Sequence, residues 1–390
     1  MKKNRNISLY FLSILLLVSA CISESKKGIN IPPVPEVTEK ARREAAIAFL
    51  TDAIEASPSS SENYYKRSLL YLENEKISDA LDDINTAISI KPNVGTYFQA
   101  KALILRASNQ PGLALEAASK AEVLNAESPE LYTLLGDLYQ QLNMFEKAKA
   151  YLRKSLQISP NNGETYFVQG EISAKMADTA TALGYFQQTL SLKPSFLPVY
   201  LKLAQIHTNL REYDLALLYA NKGLRFHPKN GNLFLQKGNT YQKSWKLDSA
   251  ILCYNKAITL DSSLIEANFN TGMIYFKSRA YRFALPFIEK AFHQNAKYPE
   301  VKFLYAQCLE YTGNFAKAET YYSELLASNS QDYRALNGVY RSQHKQKYGA
   351  YPTDLDTKFD TTSYPSFETP ARKVDTTSIR PLKPKGILNN

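Results

Sequence analysis

Residues 134–152 read LLGDLYQQLNMFEKAKAYL, and the glycine at position 136 decides how the chain folds. Apolar side chains recur at helical spacing at Leu135, Leu138 and Leu142, which predicts a helix through this stretch. A glycine inside a helix costs about 1 kcal/mol relative to alanine. Gly136 therefore indicates a position where the fold needs a side chain to be absent.

The same position recurs every 34 residues along the chain. Small residues occupy it each time: Ser68, Ala102, Gly136, Gly170, Ala204, Gly238, Gly272 and Ala306. Twelve residues further on, every unit has alanine: Ala80, Ala114, Ala148, Ala182, Ala216, Ala250, Ala284 and Ala318. A period of 34 with two helical patterns in each unit predicts an array of paired helices.

This combination of period, small positions and bulky positions resembles the tetratricopeptide repeat. The resemblance covers residues 37–348 and implies an all-α fold, a right-handed α-solenoid of tandem helix pairs. We place an N-terminal half repeat at residues 37–60, eight 34-residue repeats at 61–332 and a C-terminal capping helix at 333–349. Residues 350–390 are rich in Thr, Pro and Ser and lack any period, so we expect a disordered tail.

The N-terminus has the three-part build of a secretory signal peptide, which we assign to residues 1–20. A basic start precedes an apolar run from Ile7 to Val18 that is too short to span a membrane. Residues 18–21, VSAC, resemble the lipobox of bacterial lipoproteins, which implies acylation of Cys21 and cleavage before it. Residues 21–36 then form the lipid anchor and a tether. An ordinary signal peptide with an incidental cysteine is the alternative.

Composition and motifs favour a binding protein over an enzyme. The formal net charge is +10, and loss of Lys2, Lys3 and Arg5 with the signal leaves 44 basic and 37 acidic side chains, or +7. These charges are interleaved, so we predict no nucleic-acid partner. No two of the four histidines lie at the i, i+4 spacing of a metal-binding helix, and no nucleotide-binding or hydrolase motif is present, so we predict no catalytic residue, cofactor or metal. We expect His207 to be a packed core residue, and Cys253 and Cys308 to be free thiols.

The resemblance to tetratricopeptide proteins implies a concave groove lined by the second, fifth, ninth, twelfth and thirteenth positions of each first helix. The fifth residues of the last five units form an apolar row: Phe167, Leu201, Leu235, Phe269 and Phe303. The ninth residues are mostly amides: Glu171, Gln205, Asn239, Met273 and Gln307. An apolar stripe beside amides suits an extended or helical peptide. The alternative is that the fifth residues pack between helices and belong to the core.

These patterns together predict a lipid-anchored envelope scaffold that binds protein or peptide partners and assists outer-membrane assembly or secretion. It would sit in the outer membrane and face the periplasm or the cell exterior. Recruitment of cell-wall enzymes and glycan binding are the alternatives. No unit pairs a fifth-position Lys with a ninth-position Asn, which argues against the groove that captures chaperone C-termini. The tail repeats DTTS at 360–363 and 375–378. It docks on a partner, folds back into the protein's own groove, or has no role.

Overall fold

The computed structural model describes residues 38–294 and 301–349. These residues form eighteen α-helices and no strand. The chain divides into two compact units, with the boundary in the sequence between Leu192 and Lys193. The predicted signal peptide, Cys21 with its tether, and the tail at 350–390 lie outside the described residues.

Nine helices form the described part of the first unit. They are α1 Glu39–Ala56, α2 Ser61–Glu73, α3 Ile77–Ile90, α4 Gly95–Ala107, α5 Pro111–Val123, α6 Pro129–Gln141, α7 Phe145–Ile158, α8 Gly163–Lys175 and α9 Thr179–Leu192. From α2 onward the helices pack in pairs, and each of the first three pairs contacts the helix that follows it.

Nine helices likewise form the described part of the second unit. They are α10 Leu197–Asn209, α11 Tyr213–Phe226, α12 Gly231–Lys243, α13 Leu247–Leu260, α14 Ile265–Lys277, α15 Tyr281–His293, α16 Val301–Tyr311, α17 Phe315–Ser328 and α18 Tyr333–Tyr348. Each unit is thus an array of helix pairs, and the all-α solenoid class predicted from the 34-residue period is confirmed.

Close helix approach explains the small residues. A Cβ added to Gly136 would lie 2.5 Å from Leu152 Cδ2, and one added to Gly238 would lie 2.5 Å from Tyr254 Cδ1. Real side chains do not approach so closely, so the second helix can carry a bulky residue here only because the first has none. The eight alanines predicted to face this contact are fully buried: Ala80, Ala114, Ala148, Ala182, Ala216, Ala250, Ala284 and Ala318.

The turn inside each helix pair repeats in a way that the sequence pattern did not reveal. The fifteenth residue of every repeat has a left-handed backbone conformation. Its φ lies between 58° and 63° in seven repeats and is 89° in the eighth: Glu75, Asn109, Asn143, Ala177, Arg211, Trp245, Arg279 and, last, Gly313. A left-handed conformation costs a non-glycine residue about 1–2 kcal/mol. The next N–H recovers part of this cost by closing the helix end, as Lys246 N does on Tyr241 O at 2.9 Å.

The last helix, α18, is attached by a buried ionic cluster. Glu310 on α16 is fully buried, and its carboxylate accepts hydrogen bonds from Arg341 Nε and Nη2 at 2.9 Å each. Lys345 Nζ donates to it at 3.1 Å and the Tyr322 hydroxyl at 2.9 Å. Burial alone would raise the pKa of Glu310, but these hydrogen bonds and the Arg341 charge hold that pKa below its usual range. Glu310 is therefore ionised and fully paired.

None of the helices in the described ranges is both long and apolar enough to cross a membrane.

Candidate functional site

A cleft of about 740 Å³ opens in the second unit between α10, α12 and α14. We call it the amide cleft because amide side chains dominate its lining: Gln205, Asn209, Gln236, Asn239, Gln242 and Asn270. All three helices are first helices of their repeats, so the cleft lies on the row of helices that the sequence predicted to line a groove. Lys243, Trp245, Glu266 and Lys277 complete its charged and aromatic rim.

Hydrogen bonds across two helices order the middle of the cleft. Asn239 Nδ2 donates to Glu266 Oε1 at 3.1 Å, and Asn270 Nδ2 donates to Asn239 Oδ1 at 3.1 Å. One amide thus connects α12 to α14 at two points. Asn239 is held in a fixed orientation, with its donor and acceptor both assigned.

Tyr254, on the paired helix α13, contacts this network through its hydroxyl group. Its ring is fully buried on α13, and its hydroxyl lies 2.7 Å from Asn239 Oδ1 and 2.6 Å from Gln242 Oε1. A phenol carries one hydrogen, so it can donate to only one of the two oxygens. The Gln242 amide can instead turn by half a rotation and donate its N–H to the phenol oxygen. Gln242 is therefore the adaptable member of the network, and Asn239 is the fixed one.

Trp245, the single tryptophan of the chain, stands at the edge of the cleft with 85% of its surface exposed. It occupies the left-handed turn position between α12 and α13, with φ at 61°. Beside it, Lys243 Nζ contacts Asn209 Oδ1 at 3.2 Å, across one repeat. The rim thus combines an exposed aromatic surface with positive charge.

The structure places the residues of the predicted groove in different environments. Gln205 and Asn239 line the amide cleft. Leu235 and Phe303 are 4% and 9% exposed and pack within the helical core. Leu201 is half-buried. Those that remain are also half-buried, and none of them lines the cleft: Phe167, Glu171, Phe269, Met273 and Gln307.

Phe269 and Met273 pack against the same core cluster as Phe303, and Phe167 packs against a core cluster of the first unit. The fifth-position row therefore has little surface left for a ligand. Binding by the predicted residues stays a prediction, and Gln205 and Asn239 are the two that the structure brings to one open surface.

Sequence reasoning missed the sixth-position amides Gln236 and Asn270 and the exposed Trp245. The resemblance did mark the twelfth and thirteenth positions, which hold Gln242 and Lys243, but they were not carried into the predicted site. Amides at the sixth, ninth and twelfth positions of one helix lie three residues apart and therefore share a face. That spacing was the available signal.

The titratable groups with nucleophilic or metal-binding chemistry are held in other contacts. His207 is 6% exposed, its Nδ1 lies 2.6 Å from Glu212 Oε2 and its ring stacks on Tyr219. Burial raises the pKa of the Cys308 thiol to about 12, so at neutral pH it is not an active nucleophile. Both Cys253 and Cys308 are free thiols. Over residues 38–294 and 301–349, no three His, Cys, Asp or Glu side chains are grouped to hold a metal ion.

Comparison with known proteins agrees with this architecture. Models of the tetratricopeptide repeat family match residues 129–162, 232–264 and 275–339. The tetratricopeptide repeat and J domain-containing co-chaperone DNJ1 of Cryptococcus neoformans var. grubii is 29% identical over 154 residues. That match covers 34% of this chain and 29% of the relative, so the chain spans less than a third of that relative's length.

Solved structures of low sequence identity share the fold. The Cut9–Hcn1 hetero-tetramer of the APC/C matches with a TM-score of 0.55 at 15% identity, over 70% of this chain and 54% of that one. A human IFIT1 dimer with m7Gppp-AAAA matches with a TM-score of 0.51 at 17% identity, over 67% and 69%. At such identities the similarity concerns the fold alone.

Proposed function

Because the chain carries tetratricopeptide repeats, we propose that it is a non-enzymatic cell-envelope scaffold, anchored by lipid at Cys21, that binds a segment of a partner protein in the amide cleft. The observation that supports this most strongly is the cleft itself. It gathers six amide side chains and one exposed tryptophan on the first-helix face of α10, α12 and α14.

Amides suit a peptide ligand for a chemical reason. Every residue of an extended peptide presents an N–H donor and a C=O acceptor that need partners once water is displaced. Each Asn or Gln side chain offers both a donor and an acceptor. Gln242 can reverse its amide against Tyr254, so it adapts to either polarity of the incoming backbone, whereas Asn239 is held in one orientation by Glu266 and Asn270.

The envelope location is supported by the sequence around Cys21. The basic start, short apolar run and VSAC stretch resemble a lipoprotein signal peptide. Acyl chains at Cys21 would hold the repeats at the outer membrane, facing the periplasm or the cell exterior. Within that setting we propose an accessory role in outer-membrane assembly or secretion; recruitment of cell-wall enzymes is the alternative with the same binding mode.

Glycan binding is a second candidate, and Trp245 is the observation that favours it. An exposed aromatic face beside amides and the Glu266 carboxylate offers stacking and hydrogen bonds to a sugar. Titration of the purified protein with cell-wall oligosaccharides, followed by Trp245 fluorescence, decides between the two candidates. A saturating change supports glycan binding, and no change removes it.

Site-specific photo-crosslinking in cells tests the protein-binding proposal. A photoreactive amino acid replaces Gln205, an exposed residue of the cleft, and in a matched control it replaces Leu252, which is 68% exposed on α13 outside the cleft. We expect defined protein adducts from position 205 that are absent from position 252. The same adducts from both positions, or none from position 205, would remove the cleft as the binding site.

Metabolic labelling tests the anchor separately. Cells fed a labelled palmitate analogue are expected to label the native chain and to leave the Cys21→Ser variant unlabelled and released from membranes. A native chain that takes up no label would rule out lipid anchoring without affecting the binding proposal.

A further inference from the structure

The part of the second unit that contains the amide cleft is strongly basic. Residues 193–294 carry fourteen Lys or Arg against six Asp or Glu, a net charge of +8. Exposed cations lie around Trp245 and on the neighbouring turn: Lys243, Lys246, Lys277 and Arg279. The acid within the cleft, Glu266, already accepts a hydrogen bond from Asn239. An occupant with negative charge is therefore favoured at this rim.

The chain leaves its last helix at the same edge of the unit. Aromatic and cationic contacts connect the C-terminal ends of α14, α16 and α18 in order. Phe276 meets Tyr281 at 5.3 Å, Tyr281 stacks on Tyr311 at 4.2 Å, and Lys345 Nζ lies 5.8 Å from the Tyr311 ring centre. Lys277 follows Phe276 directly and Arg279 lies two residues beyond Lys277, so the residues after Gly349 start two repeats away from the basic rim.

The segment that follows has the complementary charge. Residues 351–368 read YPTDLDTKFDTTSYPSFE, with four acids against one lysine and four aromatic residues. Each of the three contacts from Phe276 to Lys345 is shorter than about 6 Å, so the path between these two residues is at most about 20 Å. An extended chain covers about 3.3 Å per residue, so about six residues bridge that distance. Asp354 and Asp356 thus come within reach of Lys277 and Arg279.

We propose that the acidic segment 351–368 of the same chain occupies the amide cleft, its carboxylates against the basic rim and an aromatic side chain against Trp245. The inference rests on the cleft being the binding site. It specifies the chemistry of the partner as well: an acidic segment with an aromatic residue, which must displace the chain's own segment to bind.

Trp245 reports directly on this contact, because it is the chain's single tryptophan and stands at the cleft rim. The experiment compares acrylamide quenching of its fluorescence in the full chain and in the variant Asp354→Asn, Asp356→Asn, Asp360→Asn. We expect the native chain to protect Trp245 and the triple variant to lose that protection. Asp375→Asn, a matched change outside the segment, is expected to keep it.

Salt and protein concentration supply two independent readouts. At 1 M salt the screening length falls to about 3 Å, so protection in the native chain should disappear while the triple variant stays unchanged. Equal quenching of the native chain and the triple variant at low salt would overturn the proposal. Protection that rises with protein concentration would also overturn it, because the segment would then come from a second copy.

The variant Lys277→Gln, Arg279→Gln tests the other side of the contact, and we expect the same loss of protection. These outcomes are separable from the binding proposal. If partner adducts form from position 205 and Trp245 is quenched equally in the native chain and the triple variant, the cleft remains a binding site and only its internal occupant is ruled out.

Discussion

Replacing Glu310 by glutamine should release the last helix. The substitution keeps the shape of the side chain but removes its charge, and it turns an N–H₂ group toward donors on Arg341, Lys345 or Tyr322. Removing one partner of a buried ion pair costs about 3–5 kcal/mol, since the remaining charge stays buried. The Lys345 side chain is 8% exposed and stays buried without its counter-ion, but that of Arg341 is 41% exposed and can be hydrated instead. We therefore expect a loss near the lower limit, about 3 kcal/mol.

Hydrogen exchange of the α18 amides measures this loss where it occurs, because local opening of a terminal helix need not follow unfolding of the array. A loss of about 3 kcal/mol corresponds to roughly 100-fold faster exchange. The control is Glu319→Gln, which changes the same residue type on α17. Its carboxylate accepts from Gln343 and Gln346 on the exposed surface, so we expect a loss under about 1 kcal/mol.

The pH dependence has a defined sign. Glu310 has a folded-state pKa below its ordinary value, so its contribution is complete above the unfolded pKa of about 4.3 and is lost as pH falls through the folded pKa. Exchange in α18 of the native chain should therefore accelerate below about pH 4 more steeply than in Glu310→Gln. Equal exchange rates in both proteins at pH 7 would refute the cluster as the attachment of α18.

Two further changes test the packing and the thiols. Gly238→Ala adds a Cβ that meets the Tyr254 ring at 2.5 Å. The cost of overpacking, about 1–3 kcal/mol, outweighs the gain in helix propensity of about 1 kcal/mol, so this variant should be less stable. In the control, Gly184→Ala, the added Cβ meets nothing within 4 Å, so this variant should be more stable by about 1 kcal/mol. Urea denaturation should move the two midpoints in opposite directions, and a stabilised Gly238→Ala would contradict the close approach. In a chain without Cys21, a thiol reagent should label the half-buried Cys253 well before Cys308, whose pKa is raised to about 12 by burial, and only unfolding should equalise the two rates.

The sequence was sufficient for the fold because the packing positions repeat without insertion. Gly136 and Ala148 already identify the contact between paired helices, and their recurrence every 34 residues defines the array. The same reasoning predicted only part of the candidate site. An apolar residue such as Leu235 satisfies the pattern of a groove and of a core equally well, and the structure shows it 4% exposed in the core. Periodicity gives the face of a helix but not whether a neighbour covers it.

Trp245 was beyond sequence reasoning for a different reason. The turn position that it occupies accepts Glu, Asn, Ala, Arg and Gly elsewhere in the chain, so its residue type follows no packing rule. At a position without packing constraints, the residue type can be selected for the surface that the side chain exposes. The exposed tryptophan next to six amides is therefore better explained by binding than by stability.

The first unit shows why polar residues on a first helix do not identify a site by themselves. Thr133 holds a fifth position and is 7% exposed, and its hydroxyl bonds Thr165 Oγ1 at 2.7 Å and Ser155 Oγ at 3.0 Å. These hydroxyls satisfy one another inside the core, so no bonding capacity is directed outward. In the amide cleft, Gln242 shares one phenol hydrogen with Asn239 and therefore keeps bonding capacity for a ligand. The proposed binding in the amide cleft thus depends on polar groups that the fold leaves incompletely paired at an open surface of the second unit.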